Sequence, residues 1–242
     1  SFEEIERFVS ACLPLGLSKV RITGGEPLLR PDVPALVQQL STLGVEIALT
    51  TNASLLRDQA SLLADSGLDR VTVSLDALDP QTHASMVDCA IPVETVLEGI
   101  EAALENDLGP VKVNCVVQRG VNESEAPALV RHFRGTGVTV RFIEYMDVGG
   151  ATRWSAENVF SRADMMRVIT AERGPVTAIN EVSSAPADRF QLPSGQTFGI
   201  ISSTTEPFCR SCDRSRLTAD GLWYLCLYAR TGTDLRKALR GG

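Results

Sequence analysis

Three cysteines near the carboxyl end carry the sharpest chemical signal: the run Cys209-Arg210-Ser211-Cys212, then Cys226. A Cys-x2-Cys pair bridges one metal centre readily, and a hairpin between it and Cys226 brings a third thiolate back. The count stops at three. A structural zinc site takes four protein ligands, and neither His83 nor His132 is near in sequence. A four-iron cluster on three cysteines instead leaves one iron open to a substrate atom. From composition alone, zinc with Asp213 or a distant histidine as fourth ligand competes with the cluster. Cys12, Cys89 and Cys115 stand singly and read as buried small hydrophobes.

Asp213-Arg214-Ser215-Arg216-Leu217 follows Cys212 directly. On a strand, Arg214 and Arg216 point to one side, because side chains alternate with period two. Two guanidiniums beside a metal centre suit a phosphate or a nucleobase carbonyl. In isolation such a pair reads as a solvated face; its position between Cys212 and Cys226 favours a ligand role. Gly24-Gly25-Glu26-Pro27 is a second candidate. Its glycines let a ligand approach the backbone, and Pro27 biases Glu26 away from the helical region. It lacks the Gly-Lys-Ser/Thr of a phosphate loop and the Gly-x-Gly-x-x-Gly of a dinucleotide site. Lys112, among Val111, Val113 and Val116, either snorkels outward or points into a polar interior, and the two readings stand level.

The elements that must position these residues alternate. Strand-length β-branched runs occur at 19–23, 46–50, 70–74, 111–117 and 138–143, with helix-period segments at 32–43, 55–65, 93–105 and 126–133. That alternation predicts parallel strands joined by right-handed crossovers. Ser1 and Glu4 predict a capping box on an opening helix. Thr23-Gly24-Gly25-Glu26, Thr50-Thr51-Asn52, Ser74-Leu75-Asp76 and Glu144-Tyr145-Met146 all fall at carboxyl ends of strands, the ligand-binding rim of α/β barrels. After Met146 the pattern changes. Asp147 to Ala151 reads as a loop, 163–172 as a helix, and short strands follow at 189–192, 197–202, 214–218 and 222–227. Ala219-Asp220-Gly221 gives a hairpin signal, and 233–239 a last helix. The expected division is a barrel over 1–146 and a small α+β extension over 147–242, laid across one barrel mouth.

The chain has 242 residues, 44% of them apolar and 22% charged, which suits a folded protein with a sizeable core. Its net charge of −7 argues against a general nucleic-acid binder. A bound anion must therefore be held by a few local basic groups. No apolar stretch is long enough to span a bilayer, and the acidic start Phe2-Glu3-Glu4-Ile5-Glu6 is unlike a signal peptide.

Taken in order, several of these segments resemble one family. Thr23-Gly24-Gly25-Glu26-Pro27, Thr50-Thr51-Asn52, Val73-Ser74-Leu75-Asp76, Val111-Lys112-Val113-Asn114 and Arg141-Phe142-Ile143-Glu144-Tyr145-Met146 are similar to the GTP 3′,8-cyclases. The match continues through Phe208-Cys209, Cys212-Asp213-Arg214-Ser215-Arg216-Leu217 and Leu225-Cys226-Leu227. Those enzymes are radical S-adenosylmethionine (SAM) proteins of molybdenum-cofactor biosynthesis. The resemblance implies a partial (β/α)6 TIM-like barrel, its first strand missing here, with a carboxyl-terminal extension. It implies that Gly25, Ser74 and Met146 lie against SAM, and that Arg21, Thr50, Lys112, Arg214, Ser215 and Arg216 lie against GTP. Cys209, Cys212 and Cys226 would hold an auxiliary [4Fe-4S] cluster whose open iron takes the guanine end.

The reaction so implied is hydrogen abstraction from the ribose C3′ by a 5′-deoxyadenosyl radical and attack on guanine C8. Its product is (8S)-3′,8-cyclo-7,8-dihydroguanosine 5′-triphosphate. The cofactor supplies the radical, while the protein supplies orientation and charge. Partners implied are GTP, an electron donor such as flavodoxin or ferredoxin, and the downstream cyclic pyranopterin monophosphate synthase. Nucleic acid and membrane are not among them, the setting is cytoplasmic, and a homodimer is compatible. The family's Cys-x3-Cys-x2-Cys, which holds the SAM-cleaving cluster, is absent from this sequence, so that second [4Fe-4S] cluster is expected on a missing amino-terminal segment. The chain alone is then expected not to cleave SAM. Gly241-Gly242 reads as an interior segment, not the family's terminal Gly-Gly tail, and Ala53 replaces the usual glycine after Thr-Asn. The competing readings are a radical SAM maturase with an auxiliary cluster, and a non-catalytic zinc-binding barrel.

Overall fold

The computed structural model describes residues 1–87, 89–147, 154–181 and 184–241. Most of the expected loop at Asp147 to Ala151 lies outside the described residues, as does Gly242. The chain divides into two compact units, Ser1–Cys115 with Ala128–Val140, and Val116–Pro127 with Arg141 onward.

The first unit opens on α1 (Phe2–Cys12), and the expected capping box is present. The Glu4 amide donates to Ser1 Oγ at 3.3 Å, and the Ser1 amino group to Glu4 Oε2 at 2.8 Å. Strands β1 (Lys19–Ile22), β2 (Glu46–Thr51), β3 (Arg70–Ser74) and β4 (Lys112–Val117) pair in parallel, in chain order. Helices α2 (Val33–Ser41), α3 (Leu56–Asp65), α4 (Pro80–Met86) and α5 (Val93–Glu105) lie in the crossovers. This is the α/β alternation of parallel strands and helices that the periodicity predicts. Ile47, Ala48 and Leu49 of β2 and Val71 and Val73 of β3 are fully buried, which is why these strands read as apolar runs. On α2, Val33, Leu36, Val37 and Leu40 form the buried stripe of an amphipathic helix.

One helix escaped the periodicity. The seven residues of α4 carry too short a stripe, and capping marks them instead: Asp79 accepts from the Thr82 amide at 2.8 Å, and Pro80 sits at the first turn. Helix α6 (Glu125–His132) and strand β5 (Thr139–Glu144) fall across the division between the units, as β4 does. In the first unit β5 starts beside β4, with the Thr139 amide donating to the Val111 carbonyl at 3.0 Å.

Ala53 has φ of 62°, in the left-handed region that favours glycine. Its methyl is accommodated because α5 presents Gly99 to it. A Cβ on Gly99 would stand 2.9 Å from both the Ala53 Cβ and the Ala53 carbonyl oxygen. Gly99→Ala should therefore destabilise the protein by about 1–3 kcal/mol through overpacking, despite alanine's better helix propensity. Urea unfolding midpoints test this, and an unchanged or raised midpoint would refute the contact's importance.

In the second unit come α7 (Arg162–Arg173), β6 (Thr177–Ile179), β7 (Asp188–Gln191) and β8 (Thr197–Ile201). β8 lies beside β5, and β7 runs antiparallel to both β8 and β6. Phe198 anchors this core, stacked on Phe190 at 5.4 Å and edge-on to Phe142 at 6.2 Å. A three-stranded antiparallel sheet of β9 (Arg216–Leu217), β10 (Leu222–Tyr224) and β11 (Thr233–Asp234) precedes α8 (Leu235–Arg240). The expected hairpin is present: the Thr218 amide donates to the Leu222 carbonyl, and the Gly221 amide to the Thr218 carbonyl, both at 2.9 Å. β9 and β10 are shorter than expected, so Arg214 precedes the one and Cys226 follows the other. Among the described residues no helix is long and apolar enough to cross a membrane.

Candidate functional site

In the first unit the strand register assembles a polar row. Thr50 pairs with Thr72, and Thr72 with Lys112, so the three side chains share one face of the sheet. The alternate positions, Leu49, Val71, Val73, Val113 and Cys115, form the buried apolar face. Lys112 therefore stands on the polar side, away from that apolar face. Arg21 Nη1 donates to Thr50 Oγ1 at 2.9 Å and to Thr72 Oγ1 at 3.2 Å. Arg21 as a residue is exposed, yet desolvation where its guanidinium meets the sheet lowers its pKa. Nearby Arg70 adds to the lowering, and Glu46 opposes it. Hydroxyls, and no carboxylate, are its described side-chain partners. A cation so placed suits an incoming anion.

The Gly24-Gly25-Glu26 turn follows β1. Glu26 Oε1 accepts from the Leu28 amide at 3.0 Å and from Thr51 Oγ1 at 2.7 Å, and Oε2 accepts from the Asn52 amide at 2.7 Å. The carboxylate thus stitches its own loop to the end of β2. Gly24, at φ 158°, and Gly25 keep open space where side chains would project, with no atom within 4 Å of a Cβ built on either. That open backbone fits the approach of a ligand such as SAM. Ser74, also read as a SAM contact, is exposed at the last position of β3.

In the second unit, Glu144 ends β5 fully buried, and the Tyr145 carbonyl accepts from Trp154 Nε1 at 3.2 Å and Thr204 Oγ1 at 3.1 Å. Half-buried Met146 follows, its sulfur 3.5 Å from the Tyr228 hydroxyl, which donates to it. Burial raises the Tyr228 pKa, reinforced by Cys209, Asp147 and Cys226. The phenol therefore stands where Met146 and two of the three site cysteines are felt together. The sequence offered no signal for Tyr228 beyond its place two residues after Cys226.

Cys209, Cys212 and Cys226 are all exposed and outside any disulfide. A 3-10 turn over Cys209–Ser211 links the first two, with the Cys212 amide donating to the Cys209 carbonyl at 3.3 Å. The Arg214 backbone amide, its guanidinium and Arg216 draw the Cys212 thiol below its ordinary pKa, toward thiolate, against a burial effect that opposes them. Arg214 Nη2 lies 3.3 Å from Cys212 Sγ, with its guanidinium carbon 4.8 Å above the Phe208 ring. Its Nε is buried without a hydrogen-bond partner. Arg214 is thus turned to sulfur and ring, while half-buried Arg216 pairs with Tyr224 in β9 and Ser215 is exposed. Among the described residues no three His, Cys, Asp or Glu side chains converge as a single metal ion requires. The donor chemistry, three accessible thiols of which one is biased to thiolate, fits cysteinyl ligation of an iron–sulfur cluster.

The class follows from comparison with known proteins. The Radical SAM superfamily matches residues 1–133, and the family described as Molybdenum Cofactor Synthesis C matches 138–242. GTP 3′,8-cyclase 3 of Mycobacterium bovis is 46% identical over all of this chain and 65% of its own length. GTP 3′,8-cyclase 1 of Mycobacterium tuberculosis is also 46% identical, over all of this chain and 69% of its own. The fold is shared with Streptococcus suis SuiB bound to S-adenosylmethionine, at a TM-score of 0.71 and 17% identity, covering 96% of this chain and 56% of that one. The chain belongs to the GTP 3′,8-cyclase family of radical SAM proteins. It spans about two thirds of the length of the curated relatives it matches.

Proposed function

We propose that this chain forms part of a GTP 3′,8-cyclase, converting GTP to (8S)-3′,8-cyclo-7,8-dihydroguanosine 5′-triphosphate. The observation that carries this reading is the guanidinium of Arg214 bonded to Cys212 within the segment matching Molybdenum Cofactor Synthesis C. It sets a cation against one cysteine of the trio. The relatives, named GTP 3′,8-cyclases, support the same reading. When bound, SAM and its cluster supply the 5′-deoxyadenosyl radical.

This chain's residues supply orientation and charge. Gly25, Ser74 and Met146 would hold SAM. Cys209, Cys212 and Cys226 would hold an auxiliary [4Fe-4S] cluster. Arg21, Thr50, Lys112, Arg214, Ser215 and Arg216 would hold GTP, its phosphates neutralised locally in a chain of net charge −7. The functional division we favour keeps β5 and Met146 with the barrel, 1–146, and gives 147–242 to the extension. A one-electron donor of the flavodoxin or ferredoxin kind and cyclic pyranopterin monophosphate synthase complete the setting, which is cytoplasmic.

Arg216→Ala in the full-length protein tests the substrate assignment. Loss of one charged hydrogen bond should weaken GTP binding or turnover roughly 10- to 100-fold at intact iron content. A solvated surface arginine would change either by no more than about 0.5 kcal/mol. Unchanged cyclisation by Arg216→Ala would remove that residue from the site.

A further inference from the structure

We propose that Arg214 is a positioning residue of the auxiliary centre: its guanidinium, steadied on Phe208, hydrogen-bonds the Cys212 sulfur and, with the Tyr228 amide on Cys226, sets the cluster's reduction potential. The inference rests on the cluster assignment made above and adds to it a function for these donors.

Besides the Arg214 backbone amide, which also acts on the Cys212 sulfur, two N–H···S contacts reach the trio. Arg214 Nη2 is 3.3 Å from Cys212 Sγ, and the Tyr228 backbone amide is 3.4 Å from Cys226 Sγ. The Phe208 face, 4.8 Å from the guanidinium carbon, restricts where the arginine can swing. Cluster potentials depend on net charge and on hydrogen bonds to the ligating sulfurs. Reduction adds one electron to the cluster and breaks no bond, so the reduced form is the more negative. A donor, and above all a cationic donor, at a ligand sulfur stabilises that form more than the oxidised one. Arg214 therefore raises the potential. One guanidinium can still serve GTP, because its fork carries five N–H donors and only Nη2 is engaged at Cys212. Arg214 then links a cluster ligand to the substrate by direct contact, whereas Arg216 reaches Cys212 only through its charge.

The test is a dithionite titration of the anaerobically reconstituted full-length protein without GTP, followed by electron paramagnetic resonance. The auxiliary signal is identified as the one that Cys226→Ser removes. Arg214→Ala should lower the reduced-to-oxidised ratio of that signal about tenfold at a fixed poise (about 59 mV for a one-electron couple). Arg214→Lys should fall between Arg214→Ala and wild type, and Phe208→Leu should shift in the same direction by less. Should Arg214→Ala fail to assemble the cluster, a lowered potential in Arg214→Lys or Phe208→Leu sustains the proposal. Unchanged potentials in every variant that holds the cluster overturn it, even if GTP affinity is lost. A wild-type protein with iron and sulfide for no auxiliary cluster would instead defeat the cluster assignment itself, and this inference with it.

Discussion

Cys226→Ser should abolish the visible thiolate-to-iron absorbance of the anaerobically reconstituted chain, and with it the bound iron and sulfide. Three thiolates make up the proposed ligand set, so losing one leaves two, too few to retain the cluster against reductant and chelator. Cys226 sits in the bend after β10, exposed, with the Tyr228 amide on its sulfur. Controls come from the cysteines outside the trio. Cys115 is fully buried in β4, where its thiol meets the Asp76 carbonyl at 3.4 Å, and Cys89 is exposed between α4 and α5. Cys115→Ser and Cys89→Ser should keep the absorbance, although the first will lower stability by placing a hydroxyl in the core. Wild-type protein that takes up one zinc per chain and no sulfide would support the zinc-binding alternative. Absorbance retained in Cys226→Ser would exclude this ligand set.

Glu144→Ala should destabilise the second unit by roughly 3–5 kcal/mol, among the largest effects of any single substitution. The fully buried carboxylate accepts from the Arg162 amide at 2.8 Å, the Thr204 amide at 2.9 Å, the Thr205 amide at 2.8 Å and Thr205 Oγ1 at 2.5 Å. It thereby ties the end of β5 to the start of α7 and to the turn after β8. Truncation leaves three backbone donors and a hydroxyl without their acceptor. Glu144→Gln keeps one acceptor oxygen but turns an amide group toward those donors, so it should lose about half as much. The same substitutions should release Met146, because Thr204, which Glu144 anchors, also holds the Tyr145 carbonyl. Urea unfolding measures the first effect and SAM affinity of the full-length protein the second. A change within about 0.5 kcal/mol for Glu144→Ala would mean that the anchor is dispensable.

Much was decided along the chain. The parallel strands and most helices followed from apolar periodicity, since each buries one stripe or both faces of a short run. The capping box at Ser1 and Glu4 and the turn at Ala219-Asp220-Gly221 followed from local backbone chemistry. The cysteine and arginine motif pointed to the family from its order alone. The elements that escaped, α4, β6 and β11, are too short to show a period, and β11 takes the first two residues of the expected last helix.

What required tertiary structure was every pairing set by register or by contact between distant segments. Arg21 meets Thr72 fifty-one positions away, and Lys112 joins that row only because β3 and β4 align as they do. Glu144 finds Thr204 and Thr205 across sixty and sixty-one residues. Ala53 can hold a left-handed backbone because α5 sets a glycine against it. Arg214, which on a strand would share a face with Arg216, turns instead to a sulfur and an aromatic ring. Sequence determines which groups are available and the local periods that place them on elements. Which groups then meet depends on strand register and side-chain packing between those elements, and those are settled only when the chain buries its core.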